Sequence, residues 1–424
     1  MILRGNKPFL HLLAAQFISN LGNALTLVTL LTMVTFHYHA SPLQLSFVIL
    51  SLGAPSALFG PIAGTLADRL PQKMLLLSSD ILSSLWVFLL LFVSELWHMY
   101  VLLFLLGLCS SLFTPAEAKV IKQLIRKEQL QSAYSIMAII QNSCRIVGPA
   151  LAGILLQFIP LSFLFLIDSL SFLLSASFLL LLPLQKKRAS SPPQPSSFFT
   201  DMRGGLAFMS QHPLVLVSTI LLFLAMLLIQ SADPEIPLLS ASLPHAGPSL
   251  TGIVLASSGA GFLCSSLWLA KNAIKNTLAA MIGGIATIGC VFLGVGFSSY
   301  FELPYPYVWL PIITMTATFG AGFVFIPYQS LLQKNTPEAF IGRVMGLSSS
   351  LTTIATLIGP PLGGVVGELL GLPFLFSSVG TCLAILSIVA LLWNKNRDRS
   401  DTSHGAKSSG ITQTTAQRYN SHSR

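Results

Sequence analysis

Charge is what this chain has least of. Of its 424 residues only 9% are Asp, Glu, Lys or Arg, against roughly 25% in soluble domains, so no water-facing shell can be drawn around it and a soluble globular protein is excluded. Cysteine is sparse as well. Cys109, Cys144, Cys264, Cys290 and Cys382 stand singly inside apolar runs, a spacing that offers neither a disulfide framework nor a thiolate metal site. The eight histidines are scattered, and there is no phosphate-binding glycine loop and no nucleophile motif. Nothing here points to an enzyme, a metal or a cofactor.

Apolar residues are what is present, 53% of the chain with a mean hydropathy of +0.76. At about 20 residues per membrane crossing, the sequence predicts an all-α polytopic membrane protein with twelve spans, at 10–37, 44–67, 74–94, 98–118, 133–158, 162–184, 213–236, 249–270, 276–297, 306–333, 343–369 and 372–393. The first run is too long for a cleavable leader and a second follows at once, so it is expected to stay as span one.

The net charge of +9 could suggest nucleic acid, but its distribution argues for a membrane topology instead. Arg4 and Lys7 precede span one; Arg69 and Lys73 follow span two; Lys119, Lys122, Arg126 and Lys127 follow span four; Lys186, Lys187, Arg188 and Arg203 follow span six. Lys271 and Lys275 follow span eight, Lys334 and Arg343 flank the tenth loop, and the rest lie after span twelve. Of the 23 basic residues only Arg145 falls in the interior of a span. Loops on the other side carry acids such as Glu95 and Glu302. The positive-inside rule then places both termini in the cytoplasm of a cell-membrane protein.

Between spans two and three, Gly64 to Lys73 reads GTLADRLPQK, a compact charge cluster where two helices must turn back on each other. Gly60 and Gly64, at i and i+4, are expected to admit a close neighbouring helix. The pattern resembles the loop between helices two and three of the major facilitator superfamily, with Pro71 where the family has glycine. The resemblance makes Gly64, Asp68, Arg69 and Lys73 a cytoplasmic gate motif, with Glu117 near the end of its helix and within reach of Arg69. QFISNLGNAL in span one resembles the macrolide-efflux and enterobactin-exporter-like branch, in which the position of Asn23 is frequently aspartate. Asp80 and the run Phe113 to Ala118 resemble the same branch. Gly148, Pro149 and Gly153 in span five are similar to the glycine-proline signature of the superfamily's antiporters, with Ala152 where the terminal pair begins with glycine. Gly359, Pro360, Gly363 and Gly364 in span eleven supply that pair in full.

This echo is one sign of an internal repeat. Gly148 and Gly359 are 211 residues apart, Pro115 and Pro327 are 212 apart, and Gly53-Ala54 recurs as Gly259-Ala260 after 206. Two six-helix bundles related by a pseudo-two-fold axis account for all three, at 1–184 and 213–393. A polar, proline- and serine-rich linker at 185–212 joins them, and a tail at 394–424 is expected to be disordered. Within the linker, Phe198 to Met209 is predicted as an amphipathic helix on the inner membrane surface.

Polar residues inside spans are the candidate working parts. Gln16, Asn20 and Asn23 form a strip at helical spacing, suited either to a cavity wall or to helix-to-helix bonding. Phe323 and Tyr328, in an aromatic-rich span ten, are candidates for lining a cavity or for packing. Asp80, Asp168 and Arg145 are candidates for proton coupling, Arg145 alternatively as half of a structural ion pair. Asp233 and Glu235 are expected near water at the outer end of span seven, as is Glu368 on span eleven. The resemblance implies a secondary transporter using protons to export a hydrophobic or amphipathic small molecule, with a monomer expected. Transport of a lipid or lysophospholipid, and a non-transporting sensor or scaffold, are the alternatives.

Overall fold

In lipid the backbone has only itself to bond to, so each long apolar run becomes helix from end to end. The computed structural model describes residues 6–126, 129–156, 158–183, 198–244, 247–272, 274 and 276–395, and within them are the twelve expected membrane-length helices. The first six are α1 (Lys7–Thr32, prolonged by a π-helical turn at Met33–His37), α2 (Pro42–Arg69), α3 (Gln72–Leu89), α4 (Leu96–Leu124), α5 (Leu130–Leu155) and α6 (Leu161–Leu180). A short helix α7 (Phe198–Gln211) leads to α8 (Pro213–Ala232), which continues through the turn Asp233–Glu235 into α9 (Ile236–Ser242) as one span. The last five are α10 (Pro248–Lys271), α11 (Thr277–Tyr300), α12 (Pro306–Asn335), α13 (Glu338–Leu370) and α14 (Leu372–Lys395).

Helix starts carry local signals. The Asn6 side chain accepts from the Phe9 amide at 3.1 Å and Asn276 from the Ala279 amide at 3.1 Å. Ser41 and Gln44 bond each other's backbone amides reciprocally. At the sharp turn after α2, Lys73 Nζ donates to the carbonyls of Leu180 and Leu182, at 2.6 and 2.8 Å, fixing a cation on the open carbonyls at the end of α6.

The helices form two six-helix bundles. In the first, α1 packs on α5 and α6, α2 on α4, and α3 on α4 and α6. In the second, α8 packs on α13, and α12 lies between α10 and α11; α14 meets α11 where Gly289 and Gly380 face each other backbone to backbone. Twelve crossings bring Lys7 and Lys395 to one end, called proximal below; the other is distal.

The two interiors differ. The second bundle has one large apolar cluster running from Phe208 and Val215 through Ile285 and Tyr328 to Ala390. The main apolar interior of the first is split. A proximal cluster includes Phe9, Leu12, Leu76, Val120 and Leu179, and a distal one includes Leu31, Leu45, Leu90, Met99 and Phe165. Between them lies a layer of buried polar residues, among them Gln16, Ser19, Asp80, Ser83, Ser84, Asp168, Ser169 and Ser175. Ser84 and Ser169 stitch α3 to α6 by donating to each other's backbone carbonyls, at 2.9 and 3.0 Å.

The helix expected within the linker is present, and its last turns pack on protein. Phe208 and Met209 enter the core of the second bundle, and Phe208 stacks on Phe340 of α13 with ring centroids 5.2 Å apart. Residues 185–197 of the expected linker and 396–424 of the expected tail lie outside the described residues.

The bundles meet along a seam at the distal end. Gly252 of α10 presses on Gly153 of α5 so closely that a Cβ on it would stand 2.7 Å from the Gly153 Cα. On the other flank, Gly364 of α13 lies against Pro42, Leu43 and Ser46 of α2. The same stripe of α2, followed by helical spacing through Gly53, Gly60 and Gly64, meets nothing within 4 Å, and neither does Gly346 on the matching stripe of α13. On α5, Ile139 is 64% exposed. The cleft between the bundles therefore widens toward the proximal end, and the close neighbour expected at Gly60 and Gly64 is absent from this conformation.

Gly252→Val places new atoms against backbone that cannot rotate away, and is expected to cost about 1–3 kcal/mol and to pry the distal seam apart. Gly60→Val, in open space, should leave thermal stability unchanged. A cysteine at Ser249, beside the seam, should react faster with a bulky thiol reagent in the first variant and not in the second; equal rates would show that the seam is not held by this contact.

Candidate functional site

The polar layer of the first bundle encloses a small cavity of about 160 Å³. Its floor is buried: Gln16 and Ser19 from α1, and Ser79, Asp80 and Ser83 from α3. Its rim is exposed to the cleft: Asn23 from α1, Ser110 and Thr114 from α4, and Gln141 from α5. Phe113, Phe172, Cys109, Asn20 and Glu117 complete the wall.

Helical periodicity brings these groups together. Gln16, Ser19, Asn20 and Asn23 recur at three- and four-residue steps on α1, and Ser79, Asp80, Ser83 and Ser84 do so on α3. Asn20 Nδ2 donates to the Gln16 carbonyl at 2.7 Å and to its side-chain Oε1 at 2.8 Å, locking the strip internally. Asp80, 2% exposed, accepts from Ser175 Oγ of α6 at 2.6 Å. Two polar atoms of this lining are buried without a partner, Ser79 Oγ and Glu117 Oε1. The lining holds two carboxylates and no Lys, Arg or His.

The other candidates fall elsewhere. Glu117 is not held by Arg69: Arg69 is exposed at the end of α2, and Glu117 turns inward to share the pocket with Asp80. Asp168 is fully buried between α6 and α1, accepting from Ser171 at 2.9 Å, and Gly22 is required opposite it because a Cβ there would collide with its Oδ1. It lies outside the pocket lining. Arg145 is exposed, one helical turn beyond Gln141, and forms no ion pair among the described residues. The Asp68 side chain lies outside those described.

Tyr328 lines no cavity. It is fully buried in the second bundle, where its hydroxyl donates to Ser348 Oγ at 2.7 Å and lies 3.0 Å from Thr219 Oγ1; two hydroxyl partners satisfy the phenol and make burial affordable. Phe323 lies away from the pocket, in an apolar groove with Trp268 and Phe319 against α11. Gly148 packs on Ala24 of α1, Gly359 on Gln230 and Gly363 on Ser231 of α8, so both glycine-proline segments serve as packing surfaces. The helices run unbroken through Pro149 and Pro360.

Glu235 is the group that the sequence misplaces. Expected near water, it is fully buried in the distal seam. The Ser46 hydroxyl of α2 lies 3.0 Å from Glu235 Oε1 and 2.6 Å from the Pro360 carbonyl, so one hydroxyl ties α2 to both α13 and the turn after α8. Ser41 Oγ, at the start of α2, donates to Glu368 Oε2 of α13 at 2.8 Å. The larger hollows, of about 790 and 500 Å³, are apolar grooves on the flanks of α11.

Two helical bundles around a cleft, with a polar pocket set into one wall, define the architecture of a membrane transporter. The chain matches the Major Facilitator Superfamily over residues 12–356 and belongs to it. It is 34% identical over 402 residues to an uncharacterized MFS-type transporter, YfiS, of Bacillus subtilis, covering 93% of this chain and 95% of the relative. It is 25% identical over 398 residues to macrolide efflux protein A of Streptococcus pyogenes, covering 89% and 95%. It is 25% identical over 415 residues to the multidrug efflux pump Tap of Mycolicibacterium fortuitum, covering 92% and 97%. Among solved structures it shares its fold with the nucleoside transporter NupG, with a TM-score of 0.72 at 16% identity over 91% of this chain and 99% of that one. A peptide transporter POT gives 0.74 at 14% identity, covering 92% and 95%.

Ser175→Ala strips a buried carboxyl group of its bond and should cost about 1–3 kcal/mol, and Tyr328→Phe about 1 kcal/mol with transport intact. Ser177→Ala, exposed and bonded only within its own helix, should be neutral. Thermal unfolding in detergent measures all three; loss of transport in a fully stable Tyr328→Phe protein would return that residue to a cavity role.

Proposed function

We propose that the protein is a secondary active exporter, coupling inward proton movement to efflux of a hydrophobic or amphipathic small molecule by alternating access. The observation that carries this reading is the pocket itself: two carboxylates, Asp80 and Glu117, face one small cavity that opens onto the inter-bundle cleft. Carboxylates that share a cavity lined by no basic side chain favour a positive occupant, and a proton is the simplest one. The names of macrolide efflux protein A and the pump Tap support the same direction and substrate class.

On this reading the proximal end, where the basic loops gather, is cytoplasmic, and the described conformation faces inward as a monomer in the cell membrane. Alternating access then requires the open stripes of α2 and α13 to come together, bringing Gly60 and Gly64 toward Gly346 while the distal seam parts. Asp68, Arg69 and Lys73 sit where that closure is latched. Arg145, exposed near the rim, is the basic group able to move relative to Asp80 when the bundles rock.

In proteoliposomes a pH gradient alone should drive accumulation of an amphipathic fluorescent substrate, and a protonophore should abolish it. Asp80→Asn should lose gradient-driven flux but keep slow downhill exchange, whereas Gly60→Val should fold normally and slow both. Flux in the wild type that ignores the pH gradient, or full gradient-driven flux in Asp80→Asn, would overturn the proposal.

A further inference from the structure

The flank of α11 is grooved, and one groove differs from its neighbours in the charge that stands at its mouth. Because α12 packs on both α10 and α11, it floors a trough of about 440 Å³ whose walls are those two helices. Rings line it: the Phe323 centroid lies 5.2 Å from that of Trp268 and 5.3 Å from that of Phe319. Gly283 leaves the α11 side open, since a Cβ built there would meet nothing within 4 Å. Thr287 brings a hydroxyl to the lining, but it already donates to the Gly283 carbonyl at 2.9 Å. The walls therefore suit a hydrocarbon chain.

Length and charge identify the occupant. The lining extends from Thr287 to Ile274, in the loop before α11, and from Thr287 back to the start of α11 at Thr277 is about 15 Å of helix at 1.5 Å per residue. That is half of a hydrocarbon core about 30 Å thick, the depth of one leaflet. The sequences of α10, α11 and α12 contain no Asp or Glu, and their basic residues, Lys271 and Lys334, both stand at the proximal end. Lys271 is exposed about one turn beyond Trp268 on the same side of α10, and Lys334 is exposed about three turns beyond Phe323, within about 20° of its direction on α12. A lysine stem lies along apolar surface while its ammonium reaches the head groups, and tryptophan favours the same level. We propose that the trough is a binding site for an acidic phospholipid of the proximal leaflet, with one acyl chain along the rings and Gly283, the phosphate at Lys271, and Lys334 adding positive charge above it.

The neighbouring grooves lack this pairing. The distal one, of about 790 Å³ against α14, is equally apolar, but exposed Glu302 follows closely on Tyr300 at its mouth. The one at mid-membrane, of about 500 Å³, has no charged residue in its lining. An acidic head group is repelled at the first and meets no cation at the second, whereas neutral lipid fits either. The trough lies on the flank of α11, away from the cleft between the bundles, so the lipid is a resident of the fold and not its cargo. The inference does not depend on the transport reading.

The test uses the full-length protein in phosphatidylcholine nanodiscs that carry a minor fraction of brominated lipid, either phosphatidylglycerol or phosphatidylcholine with the same chains. Bromine quenches a tryptophan that it touches, and the difference between wild type and Trp268→Phe isolates the signal of Trp268. Brominated phosphatidylglycerol should quench it at a mole fraction roughly five-fold lower than brominated phosphatidylcholine, the preference that one lysine near an acidic lipid supplies. Lys271→Gln combined with Lys334→Gln should remove most of that preference and leave quenching by phosphatidylcholine unchanged. Gly283→Leu fills the trough from open space, so it should reduce quenching by both lipids without lowering thermal stability in detergent; Gly294→Leu, equally open but in the other two grooves, should change neither. Glycerol phosphate, which has the anion and no chain, should not compete. Equal quenching by the two lipids would overturn the proposal, as would an undiminished preference in the double lysine variant, quenching untouched by Gly283→Leu, or competition by glycerol phosphate. A Trp268 shielded from both lipids would also overturn it, and crosslinking between copies through cysteines at Gly283 would then identify a second chain as the occupant.

Discussion

Inside a bilayer, helices gain little from hiding apolar side chains from one another, because lipid is as apolar as leucine; close approach at small residues is what holds them. The whole arrangement depends on that constraint. Gly153 and Gly252 bring α5 and α10 into backbone contact, Gly364 and Leu43 do so for α13 and α2, and Gly289 and Gly380 for α11 and α14. None of these five glycines tolerates added bulk without movement, and three of them lie where one bundle touches the other. The joint between the halves is thus made of short-range contacts that are firm when formed and contribute nothing once parted.

The second constraint is the cost of polarity at mid-membrane. The second bundle avoids most of it with a continuous apolar interior, and where it does bury a phenol it surrounds the hydroxyl with Thr219 and Ser348. The first bundle instead divides its main apolar interior and inserts a polar layer. Much of that layer is satisfied internally, by the Ser84–Ser169 exchange, the Asn20–Gln16 pair and the Ser175–Asp80 bond. Of the buried oxygens left without a partner, those of Ser79 and Glu117 face the cavity and Asp168 Oδ2 lies outside it. The two six-helix bundles therefore have unlike interiors.

Much of the fold was legible because it is written in run length and period. Twelve apolar runs give twelve spans, and the polar strip of α1 shows itself at three- and four-residue steps. The glycine-proline segments announce close packing. Other features were not legible, because position along a helix fixes depth but not which neighbour a side chain meets. Glu235 sits beside two prolines at a helix end, which reads as wet, yet α2 covers it by a contact spanning 189 residues. Glu117 reads as a charge near a helix end within reach of Arg69, whereas the rotation of α4 turns it into the pocket with Asp80. Tyr328 belongs to an aromatic stretch whose members face different ways, and only the partners Thr219 and Ser348, on two other helices, reveal its role. The serines of α3 carried a signal that periodicity alone would have found, since Ser79, Ser83 and Ser84 flank Asp80 on one stripe.

A joint placed at one end of long rods has a mechanical consequence. Along α13, the contact at Gly364 and the open stripe at Gly346 are 18 residues apart, about 27 Å of helix at 1.5 Å per residue. With its fulcrum at the distal end, a tilt of about 10° over that length carries the free end through about 5 Å, wider than a methyl group and close to the diameter of a helix backbone. Leverage of this kind lets a change no larger than one lost van der Waals contact at the glycine joint become the opening or closing of a passage at the opposite face.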